Sequence, residues 1–152
     1  MRVYRISKAA YVPVALQGQG AAMVPGRWNS AGVQIAYTAA SVSLAMLEML
    51  VHMNRDVVPD GLRLLAFEVP DDGVKTLAHK DWPGGWDRLP YSDSVRAAGD
   101  KFVKTGKVLA LRVPSAIARH ETNVLINPAH VRFGEIKLLA DEPLAWDQRL
   151  FA

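Results

Sequence analysis

The feature that most restricts the fold is a helical run, residues 41–54, that is apolar around most of its circumference. Ser41 is an N-cap residue by type, and no Gly or Pro interrupts the turns that follow. Val42, Met46, Met49, Leu50 and Met53 recur at helical spacing and predict the packed face, while Ser41, Glu48, His52 and Arg55 predict a narrow polar stripe opposite.

Short apolar runs on both sides read as strands: 1–6, Val33 to Tyr37, Leu62 to Val69, Val108 to Val113, Asn123 to Ile126 and Val131 to Leu139. A second helix is expected from Ser92 to Thr105, stopped by Gly106, and Trp82 to Asp87 is expected to be irregular because Pro83, Gly84 and Gly85 interrupt any regular ladder. Helices set between strand runs predict an α/β (α+β) chain: one domain over 1–152, a twisted mixed sheet core with flanking helices.

Composition narrows the functional classes. Half of the 152 residues are apolar and 22% are charged, which fits a packed core and not a disordered chain. The absence of cysteine removes disulfides, thiol catalysis and Cys-based zinc sites, and His52, His79, His120 and His130 show no metal-ligand spacing, so no metal is expected. The apolar stretch Val42 to Met53 is too short for the roughly 20 residues of a membrane span, and the N-terminus lacks a signal-peptide core. A soluble, cytoplasmic protein is expected. The cations behind the net charge of +3 are scattered, which argues against a nucleic-acid reader and suits a small phosphorylated ligand.

Taken singly, the candidate site residues each admit two readings. Glu48 fits an acid, a base or a stabiliser of positive charge, but also a solvated residue paired with His52 one turn on. Arg27 follows a Gly-rich loop, where backbone and guanidinium can meet a phosphate, but neither G-x-G-x-x-G nor a P-loop is present. Tyr37 can stack on a flat ring with its hydroxyl in water, or pack in the core. Ser115 can touch a ligand or close a turn.

In combination the motifs are specific. Gly26-Arg27-Trp28-Asn29, Ile35 to Ala39 and Leu44 to His52, followed by Pro90-Tyr91, Gly99-Asp100, Leu111 to Ser115 and Asn123 to Pro128, resemble the RES domain in order and spacing over nearly the whole chain. The resemblance implies an ADP-ribosyltransferase-like fold and a bacterial toxin that consumes NAD as its substrate and needs no other cofactor. It matches the family's Arg, Glu and Ser to Arg27, Glu48 and Ser115. With Tyr37 these give catalytic Glu48, Arg27 and Tyr37, and substrate-binding Arg5, Arg27, Tyr37, Ser115 and Asn127. Ser30 departs from the proline expected after Asn29, which loosens the loop without touching Arg27.

The implied partner is an antitoxin with a helix-turn-helix DNA-binding domain, in a toxin–antitoxin hetero-oligomer or beside a homo-oligomer; neither membrane nor nucleic acid is expected to bind directly. The implied chemistry is cleavage of the nicotinamide–ribose bond by phosphorolysis or hydrolysis, with inorganic phosphate a candidate co-substrate. Transfer of ADP-ribose to a protein, or an inactive antitoxin-binding module, are the alternatives.

Overall fold

The computed structural model describes residues 1–54 and 56–151. Seven strands form one sheet: β1 (Arg2–Lys8), β2 (Ala36–Ala39), β3 (Leu62–Glu68), β4 (Val74–Thr76), β5 (Ala110–Pro114), β6 (Thr122–Ile126) and β7 (Lys137–Pro143). Their order is β4-β5-β6-β2-β1-β3-β7, with β4 and β5 parallel and every other neighbour antiparallel. Among the described residues three α-helices accompany them: α1 (Gln19–Met23), α2 (Val42–His52) and α3 (Asp93–Thr105). The expected mixed sheet with flanking helices is therefore the architecture found.

The two faces of the sheet do different work. Ladder pairing places Val3, Leu65, Phe67, Ala36, Val124 and Ile126 on one face, where they form a core covered by residues near Ala15, Leu16, Phe133 and Ile136. The opposite face carries both longer helices. Ile6, Ala39 and Leu62 pack beneath Leu44 and Ala45 of α2, while Ile35, Val113 and Leu125 pack with Trp28 and with Val95 and Phe102 of α3. A strip of sheet on β2 and β6 thus lies between the two helix footprints.

Local chemistry explains the helix ends. The Ser41 hydroxyl accepts the Leu44 amide at 3.2 Å, as its N-cap position predicts. α3 ends where Gly106 adopts a left-handed conformation with φ of 58°.

Several expectations need correction. The expected face of α2 is found in part: Leu50 is buried and Met46 and Met49 pack against the core, but the deepest positions also include Leu44 and Ala45, which the spacing did not single out. A helix apolar nearly all round has no single preferred face, so its neighbours choose one. Glu48 is also not on a solvated stripe but turns toward β6. The final strand begins at Lys137 and runs to Pro143, because 131–132 turn into a short 3-10 helix at Phe133–Glu135, where Arg132 pairs with Glu135. Arg55, assigned to the polar stripe, lies outside the described residues. The first strand reaches Lys8, and the strand expected from Val33 starts at Ala36, since Asn29 claims the Val33 carbonyl.

Candidate active site

The turn Gly26-Arg27-Trp28-Asn29 is built around one buried amide. Asn29 Oδ1 accepts from the Gly26 amide at 2.9 Å and from the Tyr37 hydroxyl at 2.7 Å. Its Nδ2 donates to the carbonyls of Ala21, Ser30 and Val33 at 2.7, 3.1 and 3.1 Å. A fully buried amide must be paired in this way. The Tyr37 hydroxyl also accepts the Trp28 amide at 2.9 Å, so it is locked to the turn and not in water. Burial pushes its proton affinity far above the ordinary phenol value, against the smaller opposing effect of the Trp28 amide. Gly26 is required here: a Cβ would stand 2.7 Å from the Tyr37 hydroxyl oxygen.

Arg27 leaves this turn toward the irregular 82–91 segment. Its Nη1 donates to the carbonyls of Trp86 and Arg88 at 2.8 and 2.9 Å, and its guanidinium lies 4.7 Å from the centre of the Tyr91 ring. Arg96, on the first turn of α3, approaches the same ring at 5.9 Å. Two cations therefore converge on one aromatic. Arg96 and Tyr91 were not among the residues singled out from the sequence; only the Pro90-Tyr91 motif pointed to this place.

Glu48 points from α2 to the sheet. Its Oε1 accepts from Asn123 Nδ2 at 2.6 Å, and Asn123 sits at the start of β6 opposite Ala39. Among the described residues no Lys, Arg or His approaches Glu48 within 4.0 Å, so the expected pairing with His52 does not form. Tyr37 and Asn123 share one sheet face with Val113 and Leu125, so Glu48, Tyr37 and the Arg27 turn are brought to the helix-bearing side.

The remaining candidates lie otherwise. Arg5 is one residue from the single β1–β2 pair, Tyr4 opposite Ala39, so strand alternation directs it to the other face. Its Nη1 donates to the Tyr37 carbonyl at 2.6 Å where the two strands part, and its buried Nε has no hydrogen-bond partner among the described residues. Burial lowers its pKa, although a guanidinium stays charged. Ser115, fully buried, is one residue beyond β5 at the same end as Asn123, and its hydroxyl oxygen accepts the amides of Ile117 and Ala118 at 3.3 and 3.1 Å. Asn127 is four residues from Asn123, about 13 Å along an extended strand. It binds the Val103 carbonyl and the Ala129 amide, and is not brought to the site.

Two surface cavities, of about 190 and 300 Å³, are lined respectively by residues around Lys75 and His130 and around Leu16 and Phe133, away from Glu48 and Arg27. Among the described residues no cluster of His, Asp or Glu could hold a metal ion, and no helix is long and apolar enough to cross a membrane.

The RES domain family model matches residues 2–147. The chain belongs to the RES domain family. Toxin Res of Yersinia enterocolitica is 36% identical over 99% of this chain and 99% of its own length. The Prs ADP-ribosylating toxin of a Sphingobium species is 37% identical over 89% of this chain and 86% of its own. A chain of the M. tuberculosis MbcT–MbcA toxin–antitoxin complex superposes with a TM-score of 0.76, covering 99% of this chain and 86% of that one at 20% identity. That last likeness shows a shared fold at low sequence identity.

Proposed function

We propose that this RES-domain chain is a toxin that binds NAD on the helix-bearing face of the sheet and breaks its nicotinamide–ribose bond. The observation that carries the reading is Glu48: a carboxylate aimed at the sheet, fixed by an amide, with no cation beside it among the described residues. Breaking the N-glycosidic bond sends its electron pair to the nicotinamide nitrogen and leaves positive charge on the ribose. An unneutralised carboxylate stabilises that charge more in the transition state than in the ground state. Arg27, with Arg96 beside the same Tyr91 ring, supplies the cationic wall for the diphosphate. Tyr37 serves through its ring, since its hydroxyl holds the turn.

Nicotinamide leaves as a neutral ring, so no metal is called for. Attack on the ribose by inorganic phosphate gives ADP-ribose-1-phosphate; attack by water gives ADP-ribose. Transfer to a protein nucleophile is the second reading, favoured by the ADP-ribosylating relative. The partner proposed for the chain is an antitoxin, as in the complex that contains its structural neighbour.

The test is to incubate purified wild type and Glu48→Gln with NAD, with and without inorganic phosphate, and to identify products by mass spectrometry. Wild type is expected to consume NAD and folded Glu48→Gln to leave it intact. Full turnover by the variant removes Glu48 from the chemistry. Phosphate dependence separates phosphorolysis from hydrolysis, and NAD left intact by the wild type rejects both in favour of a protein acceptor or a binding module.

A further inference from the structure

We propose that Asn123 is the positioning residue of Glu48, holding one carboxylate oxygen so that the other faces the ribose. The inference rests on the NAD reading above and adds a residue to it. Its contact, Nδ2 to Oε1 at 2.6 Å, is short, as expected when a neutral donor meets a charged acceptor.

The two groups stand on firm supports. Asn123 is paired with Ala39 on one side and Val113 on the other, so two ladders fix its backbone. α2 is tied to the same region a second time, because its N-cap Ser41 hydroxyl donates to Glu121 Oε2 at 3.0 Å. The backbones of Glu48 and Asn123 are thus held on a capped helix and a doubly paired strand, and their side chains meet in one hydrogen bond. Rigid support of this kind is what a positioned carboxylate requires.

The choice of partner also matters chemically. A lysine or arginine would hold the carboxylate equally well but would cancel much of its field. An amide fixes the geometry and leaves the full negative charge for the ribose cation. Asn123 itself transfers no proton and forms no bond to NAD.

The experiment compares Asn123→Ala, Asn123→Ser and Asn123→Asp with wild type in NAD turnover, each checked for folding by thermal melting. Asn123→Ala is expected to lower kcat by about 10²-fold, the cost of a misplaced catalytic group, with KM within about twofold of wild type. Asn123→Ser is expected to fall between, and Asn123→Asp to fall further than Asn123→Ala because two carboxylates repel. Independently, the side-chain amide signal of Asn123 in a ¹⁵N-correlated NMR spectrum should move to the position of a free amide in Glu48→Ala.

Unchanged kcat in Asn123→Ala and Asn123→Asp, with Glu48→Gln inactive, overturns the role, as does a rise confined to KM or an amide signal indifferent to Glu48→Ala. If wild type leaves NAD intact, the NAD reading fails and the catalytic role falls with it. The amide signal then still reports whether the pairing exists.

Discussion

Gly99→Ala tests how the Arg27 turn is held. Gly99 lies in α3 with its backbone against the Trp28 carbonyl; a Cβ there would overlap the carbonyl oxygen and stand 2.7 Å from the carbonyl carbon. The obstacle is backbone, so no rotamer relieves it. The carbonyl oxygen is the tighter contact, so helix and turn must part by well over ~1 Å to restore ordinary van der Waals separation. The Ser30 amide, which donates to Asp100 Oδ1 at 2.9 Å across the same junction, is strained with it.

Alanine gains about 1 kcal/mol in helix propensity. Overpacking costs about 1–3 kcal/mol, and a hydrogen bond to a charged group about 1.5–3 kcal/mol. The net is a destabilisation of about 3 kcal/mol, or a fall in Tm of roughly 6–12 °C for a chain of this size. Thermal melting by circular dichroism measures it. Gly20→Ala is the control, since nothing lies within 4 Å of a Cβ there, and its Tm should hold or rise slightly. A Gly99→Ala Tm equal to wild type would refute the packing of α3 on this turn.

Other expectations concern single groups. Tyr37→Phe removes two hydrogen bonds at Asn29 and Trp28 and should cost about 1–3 kcal/mol in chemical denaturation. Because the folded phenol pKa is raised, Tyr37 contributes stability below the unfolded value of about 10 and loses it as pH rises beyond; melting temperature against pH should therefore fall more steeply above that point in wild type than in Tyr37→Phe. Ser115→Ala orphans the amides of Ile117 and Ala118, with an expected loss of about 1–2 kcal/mol by denaturant titration; unchanged stability would show that the turn does not depend on the hydroxyl. Arg27→Ala and Arg96→Ala should each raise KM for NAD severalfold in steady-state assays, and an unchanged KM removes that arginine from the diphosphate wall.

Much of the fold is legible in the chain because it is local. Ser41 caps α2 and Gly106 ends α3 through bonds and dihedrals that involve only near neighbours, and Pro and Gly make the 82–87 segment irregular. Short β-branched and apolar runs placed the strands near Leu62, Ala110 and Thr122 to within two residues. The family motifs likewise survive as sequence, since Arg27, Tyr37, Glu48 and Ser115 keep their order and spacing.

What sequence could not settle is direction. The spacing along α2 pointed to a face with Met46, Met49 and Leu50, and the sheet beneath it brought in Leu44 and Ala45 as well. Glu48 has His52 four residues away, yet its partner is Asn123, 75 positions on, because β6 lies beside β2 in the sheet. Arg5 starts from the opposite face of β1 yet its guanidinium reaches the Tyr37 carbonyl, and α3 carries Arg96 to Tyr91 beside Arg27. Local patterns specify the elements and the residue types of the site, since propensity, capping and motif order are written within a few residues. The tertiary structure alone decided which of those residues meet, because such contacts depend on strand order and register that no local pattern records.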